Sequence, residues 1–85
     1  MQSNNHHQLF MKTKFNIALI GGRGYVGQEI IHILNQHPNF ELCKAFSRTA
    51  ADTEVDGYNQ HPTLKYSLLG DSNLDLDNID IAILA

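Results

Sequence analysis

Three glycines, Gly22, Gly24 and Gly27, stand in the stretch "GGRGYVGQ" with the spacing G-x-G-x-x-G. That spacing suits a backbone that must turn tightly, approach a pyrophosphate with no Cβ in the way, and then pack a helix closely against a strand. A helix opening after such a turn offers an anion unpaired N–H groups and a partial positive charge of roughly +0.5. The stretch lacks the Gly-Lys-Ser/Thr ending that holds a terminal phosphate and magnesium, so it points to a dinucleotide rather than a nucleoside triphosphate. An NAD site carries Asp or Glu about 20 residues past the glycines for the ribose 2′-hydroxyl. Here the chain has Ser47 and Arg48. A hydroxyl and a guanidinium suit a 2′-phosphate through charge-assisted hydrogen bonds, which favours NADP over NAD. Two plainer readings stand beside these: glycines that serve packing alone in an α/β unit, and Arg48 as a solvated loop charge.

The glycines gain weight from the elements around them. "FNIALI", Phe15 to Ile20, is a mostly apolar run ending at glycines, as a central parallel strand buried on both faces requires. From Val26 the apolar residues fall at Val26, Ile30, Ile31, Ile33 and Leu34, one face of an amphipathic helix of about three turns, with Gln28, Glu29, His32 and Asn35 outward. Pro38 stops it near His37, whose side chain is placed to cap the last carbonyls. "FELCKAF", Phe40 to Phe46, reads as a second strand. The polar segment Thr49 to Pro62 reads as a connector, Leu64 to Leu69 as a short strand, "GDSNLDLDN" as an acidic linker, and "IDIAILA" as another buried strand. The order strand, glycine turn, helix, strand predicts an α/β fold, a Rossmann-like doubly wound parallel sheet of which this is the amino-terminal portion.

Other chemistry-bearing residues have weaker claims. His32 and His37 are five apart, poorly placed to share a metal on one helix face. Cys43 sits mid-strand, with no evident base or electropositive partner, and reads as structural. Asp71, Asp75 and Asp77 lack the EF-hand spacing and its twelfth-position glutamate, and read as a solvated loop.

The totals set bounds. At 85 residues the chain is at most one small domain, and a domain of that size buries only about 60–65% of its unfolded surface. A net charge of −3 without a basic block argues against nucleic acid as a partner. The longest apolar runs fall short of the roughly 20 residues that cross a bilayer, so no membrane partner is expected. Residues 1–14 read as a disordered leader, its Gln, Asn and His offering little to bury, and residues 15–85 as the folded part. The leader shows neither signal-peptide nor transit-peptide character, which leaves a cytoplasmic location, and the single cysteine agrees with a reducing compartment.

From Asn16 to Ala85 the chain resembles the amino-terminal part of the N-acetyl-gamma-glutamyl-phosphate reductases. The resemblance is carried by "GGRGYVGQEII", similar to that family's Gly-x-x-Gly-Tyr-x-Gly turn through Gly21, Gly24, Tyr25 and Gly27, and by "NQHP", "FSR", "YNQHPTL" and the closing "IDIAILA". The glycine turn alone is shared with aspartate-semialdehyde dehydrogenases and other acyl-phosphate reductases. The resemblance implies an NADP-dependent oxidoreductase of arginine biosynthesis. In that family a thiolate attacks a small-molecule acyl phosphate, phosphate leaves, and hydride reduces the thioester to an aldehyde with a histidine as acid/base. It also implies a homo-oligomer for the full-length protein. The family's cysteine and histidine lie downstream of Ala85, and Cys43 does not match that cysteine, so no catalytic residue and no metal ligand is expected here. The site residues it implies bind cofactor: Gly21, Gly22, Arg23, Gly24, Tyr25, Val26 and Gly27 toward the pyrophosphate, Ser47 and Arg48 toward the 2′-phosphate. A chain finishing on "IAILA" leaves a buried-type strand without a covering helix, so a fragment of a longer protein is expected. Two alternatives of other classes are a stand-alone dinucleotide-sensing module and an α/β interaction domain whose glycines only pack.

Overall fold

The computed structural model describes residues 13–21, 24–49, 52–70 and 74–85. The elements are β1 (Phe15–Ile20), α1 (Tyr25–Asn35), β2 (Phe40–Ser47), β3 (Tyr66–Leu68) and β4 (Ile81–Leu84). The strands form one sheet in the order β3-β2-β1-β4, every pairing parallel. Strand order reverses at β1, which makes this an incomplete Rossmann-like α/β fold. The expected leader falls mostly outside the described residues; of it, Thr13 and Lys14 are described, both exposed, and Lys14 pairs with Glu41 at 3.4 Å.

One face of the sheet packs on α1. Ile17 and Leu19 of β1, Leu42 and Ala45 of β2, Tyr66 of β3, and Ile31 and Leu34 of α1 share a buried cluster with Val55, Tyr58 and Leu64. The spacing of the β2 members is three, not two, because β2 bulges. Ile17 pairs with Leu42 and the next residue, Ala18, pairs with Lys44, so Cys43 is passed over. A bulge of one residue reverses the facing of everything after it. Lys44 and Phe46 therefore go to the far face, and Ala45 and Ser47 return to the helix face.

Several expectations are corrected. The helix runs from Tyr25 to Asn35, and of its apolar face only Ile31 and Leu34, together with Gly27, are buried. Val26 is 57% exposed and Ile33 52%. Val26 lies in the first turn of the helix, and Ile33 lines an apolar groove beside β4 that no described residue fills. The helix end is closed by main chain, with the N–H of His37 donating to the Leu34 carbonyl at 3.1 Å, while the His37 ring meets Phe40 edge-on. The last strand is not buried: β4 is an edge strand with Ile81 and Leu84 exposed. The connector proves to be structured. Asp52 and Val55 donate N–H bonds to Tyr66 and Leu64, both at 2.8 Å, and Tyr66 returns one to Thr53, so 52–55 runs antiparallel to 64–66. Val55 and Tyr58 enter the core from it. The third strand is correspondingly shorter than expected, starting at Tyr66.

Residues 74–80 lead into β4 as irregular chain on the far face. Lys44 holds it there, its Nζ 3.0 Å from a carboxylate oxygen of Asp75 and 2.9 Å from the Asp75 carbonyl. Asn16 of β1 then takes up both Asp80 and Asn78, aligning β4 on β1.

A nucleotide-type groove at the carboxyl ends of the strands

In open α/β sheets, ligands bind outside the carboxyl ends of the strands where strand order reverses. The chain has an open groove of about 350 Å³ at that place, lined by Gly21, Gly24, Ser47, Arg48, Thr49 and Ala85. It brings together the glycine turn after β1 and the Ser-Arg pair at the end of β2, which are far apart in sequence.

Gly21 leaves β1 with φ +83°, in the left-handed region, and its N–H donates to the Phe46 carbonyl at 2.8 Å. A Cβ there would lie 3.1 Å from the Ala85 carbonyl oxygen, so both conformation and space select glycine. Gly24 is the N-cap of α1 with φ −78° and ψ −174°, and no side chain caps the helix. Its carbonyl accepts the first helical bond, from Gln28 N–H at 3.0 Å. The N–H groups of Tyr25, Val26 and Gly27 thus begin the helix without intrahelical acceptors, and no acidic residue lies in the first turn to offset the dipole. Gly27 is buried. Gly22 and Arg23 lie outside the described residues.

Ser47 is 3% exposed, and its Oγ accepts the Thr49 N–H at 3.2 Å, shaping the turn that carries Arg48. Its carbonyl accepts Leu69 N–H at 2.7 Å, which ties the end of β2 to the chain after β3. Arg48 and Thr49 are exposed at the groove. The sequence reading had not singled out Thr49 or Ala85. Thr49 follows the Ser-Arg pair directly, a signal that was there to read, whereas Ala85 reaches the groove only through the pairing of β4 with β1. The Cys43 thiol donates weakly to the Glu41 carbonyl at 3.5 Å, and partial burial followed by the nearby Glu41 charge pushes it up against the opposing Ile17 main-chain contact, the wrong direction for a nucleophile. No cluster of metal-ligating side chains occurs among the described residues.

A parallel sheet reversing at β1, with a glycine turn feeding an uncapped helix N-terminus, defines a Rossmann-type nucleotide-binding unit. Residues 16–85 match the family described as semialdehyde dehydrogenase, NAD binding domain, and the chain belongs to that family of oxidoreductases. It is 38% identical over 67 residues to "Protein arg-6, mitochondrial" of Neurospora crassa, covering 79% of this chain and 8% of that protein. It is 36% identical over 81 residues to "Bifunctional protein argC, mitochondrial" of Dictyostelium discoideum, covering 95% and 8%. A third relative, the LysW-L-2-aminoadipate/LysW-L-glutamate phosphate reductase of Saccharolobus solfataricus, is 37% identical over 70 residues, covering 81% and 19%. The chain thus spans a fifth or less of the length of these relatives. No solved structure matches it.

Proposed function

We propose that this chain is the cofactor-gripping part of an NADP-dependent reductase that converts N-acetylglutamyl 5-phosphate to N-acetylglutamate 5-semialdehyde in arginine biosynthesis. The observation that carries the reading is Gly24. Its φ of −78° suits any residue, and a Cβ built on it meets nothing within 4 Å among the described residues. Neither backbone strain nor internal packing calls for glycine there. A pyrophosphate drawn onto the open N–H groups of Tyr25, Val26 and Gly27 does call for it, because a side chain would stand in its path.

In this reading the turn from Gly21 to Gly27 takes the pyrophosphate, and Arg48 takes the 2′-phosphate as a charged fork. Ser47 Oγ already accepts the Thr49 N–H, so what it has left to offer a phosphate oxygen is its O–H. The bound cofactor supplies hydride; these residues hold and orient it. The arg-6 and argC relatives support the arginine branch. The relative named for LysW-linked aminoadipate and glutamate phosphates supports a second reading, the same reduction on another acyl phosphate.

Calorimetry of NADP and NAD on the chain, beside Gly24→Val, tests the assignment. The expected result is tighter binding of NADP, lost in a variant whose circular dichroism is unchanged. A folded chain that binds neither dinucleotide overturns it.

A further inference from the structure

The bulge at Cys43 decides which residues of β2 reach the groove. Without it, alternation from Leu42 would send Lys44 and Phe46 to the helix face and turn Ser47 away. With it, Leu19 pairs with Ala45 and Ile20 with Phe46, and Ser47 returns to the helix side as a groove-lining residue. Something must hold β2 at the residue where the bulge begins. On one side Leu42 is in register with Ile17. On the other, β3 is too short, pairing only with Ala45, Phe46 and Ser47. The Leu42 N–H has no strand to meet there, and it donates instead to the Tyr58 hydroxyl at 2.8 Å. Tyr58 is 2% exposed and belongs to the core cluster. Its segment is fixed from outside by Asn35, whose side-chain amide donates to the Gly57 carbonyl and whose Oδ1 accepts Asn59 N–H at 2.8 Å. The hydroxyl is therefore held in place, standing where a neighbouring strand would be.

We propose that Tyr58 is a positioning residue for cofactor selectivity: by taking the Leu42 N–H it holds the Cys43 bulge, and through the bulge it aims Ser47 and Arg48 at the groove. This rests on the 2′-phosphate reading. The glycine turn follows β1, not β2, so loss of the hydroxyl should disturb one end of the cofactor site and spare the other.

Tyr58→Phe removes the acceptor and keeps the ring in the core. The expected result is an NADP dissociation constant raised about tenfold, with that for NAD changed less than about twofold. In a cycle with Arg48→Ala, the double variant should lose less NADP selectivity than the two single losses combined. A lower melting temperature with the NADP/NAD ratio intact, or fully additive losses, overturns the proposal. Should the unmodified chain show no NADP preference, the 2′-phosphate reading fails, and amide exchange separates the two ideas. Tyr58→Phe must speed exchange at Leu42 and shift the amide resonances of Ser47 and Arg48, and unmoved resonances sink the link between Tyr58 and the groove.

Discussion

Gly21 and Ala85 come together where β1 and β4 end, so closely that a Cβ on Gly21 would stand 3.1 Å from the Ala85 carbonyl oxygen. The contact closes the floor of the groove, because the Ala85 N–H in turn donates to the Ile20 carbonyl at 2.9 Å. Gly21→Ala must meet that oxygen and adopt φ +83° as well. A cost of about 1–2 kcal/mol follows for the backbone alone. Thermal unfolding of the variant should show a Tm several degrees lower, and coincident melts would contradict the close approach.

Gly24 should respond in the opposite sense. A serine there adopts the existing N-cap dihedrals without strain and can accept a first-turn N–H, for a gain of a few tenths of a kcal/mol. The same side chain occupies the space that the pyrophosphate needs. Gly24→Ser should therefore melt no lower than the parent while dinucleotide affinity falls at least about tenfold. Retained affinity would show that nothing approaches this backbone closely.

Arg48 is an exposed residue lining the groove. Charge-assisted hydrogen bonds to a phosphate contribute about 1.5–3 kcal/mol, so Arg48→Ala should weaken NADP by roughly ten- to a hundredfold and leave NAD nearly unchanged. Calorimetry at two salt concentrations would also show a shallower salt dependence for the variant. Equal losses for both cofactors would remove Arg48 from the 2′-phosphate.

Across the far face, the hydrogen bond from Lys44, the Asp77 N–H and the Lys44 charge together hold the Asp75 carboxyl below its usual range. A carboxyl whose pKa is lower in the folded than in the unfolded state stabilises the fold above its unfolded value. That contribution is lost as pH falls through the folded one. Asp75→Asn should thus melt slightly below the parent at neutral pH, and the gap should close below about pH 4. A gap that persists in acid would mean that the pair carries none of it.

The parts of the fold legible in the sequence are those built from local signals. The run 15–20, the helical period after Val26 and the largely apolar stretch 40–46 each fix one element without reference to another. Of the residues singled out by the glycine spacing and the Ser-Arg pair, Gly24, Ser47 and Arg48 line one groove. Exposure was harder to read, because a strand's composition records what eventually covers it: "IAIL" is apolar, yet within these residues β4 has a neighbour only on its β1 side. The core role of Tyr58 and Val55 was hidden in a polar connector, where single apolar residues make no period. The bulge did leave a trace, since Phe40, Leu42 and Ala45 break a spacing of two at Cys43, but a short strand gives such a break little weight.

The position of β1 in the sheet also has a consequence for biosynthesis. One of its edges meets β2, which follows within some thirty residues of chain, but the other meets β4, with Asn16 and Asp80 separated by 64 positions. At about 5–20 residues per second on the ribosome, the central strand spends several seconds with one flank bare after its first partner has emerged. During that interval any other extended segment can add to it. Asn16, whose side-chain amide donates to the Asn78 carbonyl and whose main-chain N–H donates to the Asp80 carboxylate at the entry to β4, marks the late strand as the correct one.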